Sequence, residues 1–341
     1  MPSVTSREWR LKARPVGEPK PSDFELSTVE VREPAAGEVQ VRNAWMTVDP
    51  YMRGRMNEAR NYADPYEIGK AMTGGSVGTV LASGDDRYKP GDQVVTSLAG
   101  WREAFTATPE SVGMMKLPQA GAPMQAYLGV LGMPGHTAWY GLNAIGQPKA
   151  GETVFVSGAA GAVGSVVGQL AKLKGCRVVG SAGGKEKCDW LKAHGFDEAV
   201  DYRAAGDVFG LMKAVKAAAP NGVDIYYDNV GGDHLTAALG AANFHARMAI
   251  CGMISVYNAK APVPGPFNLA MLVGRRIKMQ GFIIFDHANT YPDFLAEVGP
   301  LVASGKIRYE ETVRNGIGEA VEAFLGLFSG GNTGKMLVKL S

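Results

Sequence analysis

Between residues 153 and 250, short apolar runs alternate with stretches of helical periodicity. The first run, TVFVS at 153–157, leads into Gly158-Ala159-Ala160-Gly161-Ala162-Val163-Gly164 and then an amphipathic helix through SVVGQLAKLKG. A strand, a glycine turn and a helix N-terminus in that order make an anion site, because free backbone N–H groups and the positive end of the helix dipole converge there. A pyrophosphate fits it. Aligned on its last glycine, the loop meets the dinucleotide fingerprint G-x-G-x-x-G at Gly161 and Gly164, with Ala159 where the first glycine belongs. Close helix-to-sheet packing is the competing use of such glycines; the strand-helix-strand setting favours a cofactor. The alternation continues through CRVVG, a helix in KEKCDWLKAHG, the strand DEAVDY, a helix over 206–218, VDIYYDNV, a further helix and RMAICGM. Repeated in this way it implies right-handed crossovers and an α/β domain with a doubly wound parallel sheet covered on both faces.

The segment after the second strand selects the nucleotide. CRVVG ends at Gly180, and an NAD-selecting acid is expected about 20 residues beyond the loop. The chain there reads Ser181, Ala182, Gly183, Gly184, Lys185, Glu186, Lys187, with no carboxylate at the strand end. Lys185 and Lys187 offer positive charge to a 2′-phosphate, which favours NADP over NAD. Glu186 is the competitor, reaching a ribose if the turn shifts, and a solvated helix start is the alternative use of both lysines.

Outside this block the texture differs. Residues 1–120 alternate β-rich runs (FELSTVEVREP, GEVQVRNAWMTV, GGSVGTVLASG, GDQVVTSL, WREAFTAT) with turn residues, the pattern of an antiparallel, partly closed β domain. The α/β domain is expected over 121–306, opening with the helix-like PMQAYLGVLGMPGHTAWYGLNAI. The segment 307–341 has short β character again and is expected to complete the first domain. Two domains suit 341 residues, and 45 glycines, roughly twice the usual share, are dispersed as turns. Lys plus Arg (35) nearly balance Asp plus Glu (33), so no overall field favours nucleic acid or a membrane surface. Three cysteines without C-x-x-C spacing argue against a disulfide framework or a structural zinc. With no apolar leader in MPSVTSREWRLKARP and no apolar run of membrane-spanning length, the chain reads as a soluble, cytoplasmic protein.

GAAGAVGSVVGQLAK, YYDNVGG, CGMISVYN, GFIIFDH and GGNTGK, with DPYMRGR and GMPGHTAWYGL, closely resemble the zinc-independent medium-chain dehydrogenase/reductases. Within them the similarity is to the leukotriene hydroxydehydrogenase, prostaglandin reductase and alkenal double-bond reductase group, and it runs along nearly the whole chain. The resemblance implies a GroES-like β domain beside a Rossmann domain, NADP(H) as cofactor, reduction of the C=C bond of α,β-unsaturated aldehydes and ketones, and a homodimer. It implies that Gly161, Ala162, Val163 and Gly164 hold the pyrophosphate and that Lys187, with Gly183 and Tyr202, meets the adenosine phosphate. Asn229, the stretch Cys251, Gly252, Ile254, Ser255 and Tyr257, then Phe282, Ile283, Ile284 and Asn332, are implied around the nicotinamide half. Tyr257 matches the tyrosine proposed in the family as proton donor or oxyanion partner.

Zinc-dependent relatives carry a cysteine and a His-Glu pair as catalytic ligands and four closely spaced cysteines for a second zinc; this sequence has neither set. Its histidines, His136, His194, His234, His245 and His287, lack H-E-x-x-H or H-x-H spacing. Conjugate reduction has no need of a Lewis acid. The negative charge moves to the carbonyl oxygen as an enolate, and one well-placed hydrogen-bond donor lowers that barrier by a few kcal/mol. Two readings of Tyr257 stand: the donor to that oxygen, or a ring that only shapes the pocket. Asp49, Tyr51 and Arg53 face either the substrate or a buried structural contact, with Tyr51 the candidate for lining the pocket. Trp139 and Tyr140 read as core, as do Met124 and Met133 near the expected cleft. A quinone oxidoreductase on the same scaffold and a non-catalytic NADPH-binding protein are the alternative functions.

Overall fold

The computed structural model describes residues 4–59, 61–118 and 121–341. The chain divides into two units: Met1–Gly129 with Glu311–Asn332 and Met336–Ser341, and Val130–Glu310 with Thr333–Lys335.

In the second unit six strands form one sheet: β1 (Thr153–Val156), β2 (Arg177–Ala182), β3 (Glu198–Asp201), β4 (Val223–Asp228), β5 (Ala242–Ile250) and β6 (Lys278–Gly281). Their spatial order is β3-β2-β1-β4-β5-β6, and every neighbouring pair is parallel. This is the doubly wound Rossmann order, in which ligands bind beyond the carboxyl ends of the strands where the order reverses, here between β1 and β4. β1 is buried at all four residues, as a strand covered on both faces must be. Helices α1 (Gly164–Leu173), α2 (Lys185–Ala193), α3 (Val208–Ala218) and α4 (Gly232–Ala241) supply the crossovers. Phe155, Val179, Tyr226, Leu235, Leu239 and Met248 belong to the core on one face, with the Phe155 and Tyr226 rings stacked at 5.2 Å.

Local boundaries differ from the sequence reading in four places. β2 continues past Gly180 to Ala182. β3 stops at Asp201, whose side chain caps a single helical turn, Tyr202–Ala205, by accepting from the N–H groups of Arg203 and Ala204. The helix expected over 206–218 starts only at Val208: Gly206 has φ +81°, and Asp207 accepts from the Gly210 N–H as N-cap. The helix-like stretch after 121 divides into a 3-10 turn (Met124–Leu128), a helix (Met133–Tyr140) and a π turn (Gly141–Gly146). Short aspartate caps compete with continuous helix, and apolar periodicity alone does not register them.

The first unit is built on an antiparallel sheet. Its long strand Val39–Thr47 pairs with Ser76–Ser83, with Ala104–Ala107 and with the C-terminal strand Lys335–Lys339. The helix Ala320–Ser329 buries Ala320, Val321, Ala323 and Phe324 against Leu11, Met52 and Trp101. Val4–Leu11 and Phe24–Val31 form a separate two-stranded sheet.

Two histidines of the second unit are buried, His136 at 4% and His234 at 5% exposure. His136 meets the Thr290 hydroxyl and His234 the Ser181 hydroxyl, each at 2.8 Å. Burial pushes both imidazoles down to about 4. The unfolded chain takes up these protons below about pH 6.5 and the native chain only near pH 4. Stability is therefore complete above pH 6.5 and falls as the pH drops from 6.5 toward 4, by about 3 kcal/mol for each histidine. Urea unfolding of the His234→Asn variant across this window should lose about one proton's worth of pH slope; an unchanged slope would show that His234 is not held neutral.

Candidate active site

The phosphate loop is made by one close approach. A Cβ at residue 164 would lie 2.5 Å from the Gly158 carbonyl oxygen and 2.7 Å from the Ala159 Cα, so α1 can start this near β1 only without a side chain there. The loop is tied down through its own backbone. The Ala159 N–H donates to the Ser181 carbonyl (2.9 Å), the Gly161 N–H to the Gly158 carbonyl (3.0 Å) and the Gly334 N–H to the Ala160 carbonyl (2.7 Å). Gly161 and Gly334 form a parallel bridge. At the start of α1 the Ser165 N–H donates to the Gly161 carbonyl (3.0 Å) and the Val166 and Val167 N–H groups to the Val163 carbonyl (3.1 Å each), which leaves the N–H groups of Ala162, Val163 and Gly164 as the ones that could meet an anion at this end.

At the adenosine end, β2 runs out at Ala182 and α2 begins after Gly184. A Cβ on Gly183 would stand 2.8 Å from the Tyr202 hydroxyl and 3.0 Å from the Arg203 Nε, so both side chains lie over that backbone. Lys187 is half-buried; burial first, and the Arg203 charge second, push its ammonium below the ordinary lysine value. The two cations that gather here are Lys187 and Arg203, where the sequence reading offered Lys185 and Lys187. Lys185 points elsewhere, in an ion pair with Asp189. Glu186 is exposed in the first turn of α2. The carboxyl close to this corner is Asp201, which accepts from the N–H groups of Gly184 (2.9 Å), Arg203 (3.0 Å) and Ala204 (3.4 Å). Burial raises it, but those N–H groups outweigh burial and hold it below the usual carboxylate range.

The other end hangs on β4. The Asn229 N–H donates to the Ser157 hydroxyl (2.9 Å) and its side-chain amide to the Ser157 carbonyl (2.7 Å). The N–H groups of Cys251 and Gly252 donate to the Asp228 carbonyl at 2.9 and 3.0 Å. Ile254 donates to the Asn229 carbonyl, and Ser255 reaches the Val230 carbonyl with both its N–H (3.1 Å) and its hydroxyl (2.6 Å). The Tyr257 oxygen accepts from the Met253 N–H at 3.2 Å. Burial raises the Tyr257 phenol above its ordinary value and that N–H draws it partly back, so the phenol keeps a proton to donate. Burial also pushes the Cys251 thiol up to about 12. Phe282 packs edge-on to Tyr227 at 6.4 Å and against Tyr140 at 5.7 Å, Ile283 is half-buried, and Ile284 is buried at the start of a 3-10 turn.

In the first unit, Tyr51 is half-buried beside the cluster of Met52, Tyr66 and Trp101. Asp49 accepts from the Thr47 hydroxyl at 2.8 Å. Arg53, 3% exposed, donates to the Gly17 carbonyl (2.8 Å) and to Asn57 (2.7 Å), which is a structural contact. Asn332 also belongs to the first unit, while Thr333–Lys335 directly after it belong to the second. Met124 packs by the cluster of Val77, Leu117 and Leu128, and Trp139 joins His136 and Phe294 in an aromatic group. Among the described residues no group of three or more His, Cys, Asp or Glu is arranged to hold a metal ion.

Two features were missed in the sequence. Arg203 follows Tyr202 directly, but the one-turn helix that sets its guanidinium over Gly183 leaves no mark in the apolar periodicity. Gly334 meets the phosphate loop across 173 residues of chain, and nothing local marks that contact.

Two family profiles match the chain, one described as the N-terminal domain of oxidoreductase over residues 7–115 and one as zinc-binding dehydrogenase over residues 162–299. The NADP(+)-dependent 2-alkenal reductase of Nicotiana tabacum is 43% identical, over 99% of this chain and 98% of its own. The NADPH-dependent curcumin reductase of Escherichia coli (strain K12) is 42% identical, over 98% of this chain and 97% of its own. The crystal structure of CurA from Vibrio vulnificus in complex with NADPH superposes with a TM-score of 0.91 at 42% identity, covering 98% of this chain and 99% of that one. Matched in this way almost from end to end, the chain belongs to the medium-chain dehydrogenase/reductase family, in its group of prostaglandin, curcumin and alkenal reductases.

Proposed function

We propose that this protein is an oxidoreductase that uses NADPH to reduce the C=C bond of α,β-unsaturated aldehydes and ketones. The observation that carries the reading is the Tyr257 hydroxyl, which accepts from a backbone N–H while keeping its own proton, on the same unit as a glycine loop and a Lys187–Arg203 corner. Relatives above 40% identity named for alkenal and curcumin reduction support it.

The residues fit the nucleotide. Gly164 lets α1 start directly against the end of β1, and Gly183 lets the Tyr202 hydroxyl and the Arg203 guanidinium close over the end of β2, where a 2′-phosphate would be met. Gly161, Ala162, Val163 and Gly164 would hold the pyrophosphate, and Lys187, Arg203 and Tyr202 the 2′-phosphate. The mutual repulsion of the two cations is relieved by a doubly charged anion between them. Asp201 stays ionised beside them, and the three N–H groups from which it accepts offset part of its field on that anion. Asn229, Cys251, Gly252, Ile254, Ser255, Phe282, Ile283 and Ile284 would border the nicotinamide.

When bound, NADPH supplies the hydride that the alkene β-carbon receives. The chain's part is to stabilise the charge this produces. Tyr257 donates to the carbonyl oxygen, and accepting from Met253 polarises its O–H further. Because the phenol sits above its ordinary value, it acts as a donor and not as an anion at neutral pH. The raised Cys251 thiol stays protonated, so it is a poor nucleophile toward an electrophilic substrate beside it. Tyr51 would line the substrate side.

We also propose a cytoplasmic homodimer. All four residues of the edge strand β6 are exposed, and Phe244 (65%) and Val273 (83%) add apolar surface on the same unit. An unpaired edge of this kind is a template for a second copy. The three cysteines are free thiols, which suits a reducing compartment. No helix among the described residues is long and apolar enough to cross a membrane.

Three measurements test these readings. Lys187→Ala and Arg203→Ala should each raise KM for NADPH by about tenfold or more and leave KM for NADH nearly unchanged; equal effects on both nucleotides would remove the 2′-phosphate from this corner. Steady-state assays over enals, enones and quinones should show NADPH oxidation with the conjugated carbonyls, and Tyr257→Phe should lower kcat on enones by about 100-fold. Unchanged enone turnover would confine Tyr257 to shaping the pocket, and turnover of quinones alone would reject the alkene reading. Light scattering should give twice the chain mass, and Met279→Lys in β6 should give the monomer; a wild-type monomer at micromolar concentration would reject the dimer.

A further inference from the structure

Asp228, the last residue of β4, is completely buried. Its Oδ1 accepts four hydrogen bonds: from the hydroxyls of Tyr226 (2.7 Å) and Ser157 (3.0 Å) and from the N–H groups of Val230 (2.9 Å) and Gly231 (2.8 Å). Its Oδ2 is equally buried and has no partner among the described residues. An acid in this position is expensive. Burial pushes its carboxyl above the ordinary value even against four donors, and a turn alone could be closed by a smaller, neutral side chain.

What the carboxyl holds is the turn Asn229–Gly231, and that turn carries the loop beyond it. The Asp228 carbonyl takes the Cys251 and Gly252 N–H groups, the Asn229 carbonyl takes Ile254, and the Val230 carbonyl takes Ser255. The last residue of this loop is Tyr257, whose oxygen rests on the Met253 N–H. Every link is a backbone bond or a short polar contact, so a change at the Asp228 carboxyl is passed on to the position of the phenol. Asp228 itself has no exposed atom with which to meet a substrate.

We propose that Asp228 is the positioning residue for Tyr257: by clamping the Asn229–Gly231 turn through Oδ1, it sets where the phenol can donate its proton, without touching substrate or nucleotide. The inference rests on the reading of Tyr257 as donor, and the test separates the two. A double-mutant cycle combines Asp228→Asn with Tyr257→Phe, using an enone and NADPH. Asp228→Asn alone should lower kcat about tenfold or more, the size expected from a misplaced catalytic group, with less than about a threefold change in the NADPH dissociation constant followed by nucleotide fluorescence. In the Tyr257→Phe background the same change should cost little, because the group it positions is already gone. In the nucleotide-free protein, amide hydrogen exchange over 253–257 should speed up in Asp228→Asn. Tyr226→Phe, which removes one donor to Oδ1 and leaves the acid, should show a smaller loss with the same dependence on Tyr257, and it serves if Asp228→Asn does not fold. Additive losses in the cycle, or unchanged exchange over 253–257, overturn the inference. A Tyr257→Phe enzyme as fast as wild type would instead overturn the reading of Tyr257 on which it rests.

Discussion

Helix α1 begins against β1 with nothing projecting from residue 164, and the geometry of the nucleotide unit follows from that contact. The Gly158 carbonyl occupies the space a side chain would need, so the start of the helix and the end of β1 are held against each other. A single methyl group would have to move a backbone carbonyl, and the loop is also bonded to the Ser181 and Gly334 backbones. Close packing transmits such a change instead of absorbing it. The shape of the loop is thus a consequence of how near a helix and a strand can come.

The two ends of the crevice are tuned by opposite means. At the end of β2, like charges are brought together: Lys187 is half-buried and depressed partly by Arg203, while the nearby carboxylate of Asp201 accepts from backbone donors. Such a corner holds two like charges close together. At the other end, burial keeps protons in place. Tyr257 and Cys251 both lie above their ordinary values with burial as the leading cause, which provides a hydrogen-bond donor next to a thiol that is slow to react. A site meant for electrophilic carbonyls benefits from both properties.

Much of this was legible in the residues. The spacing of apolar runs and glycines gave the α/β class, the strand bearing the phosphate loop and the positions Gly161 and Gly164, because backbone sterics are local and glycine is their marker. Lys187 was a candidate from the missing acid after β2, and the structure shows it half-buried beside Arg203. Arg203 was not, since its role depends on the one-turn helix Tyr202–Ala205 that Asp201 caps, and apolar periodicity does not record a cap. Lys185, adjacent and equally charged, pairs instead with Asp189 one turn on; only the helix shows which lysine turns inward.

Sequence by itself determined the parallel sheet, the glycine turn that opens α1 and the preference for a phosphorylated nucleotide, since each follows from residue spacing or from the charge of a few neighbours. Tertiary structure decided the rest. It brought Gly334 to the phosphate loop, set Arg203 over Gly183, and hung the Cys251–Tyr257 loop on the buried Asp228. Those contacts join segments from different crossovers, and their energies come from burial and from hydrogen bonds whose partners exist only once the sheet has closed.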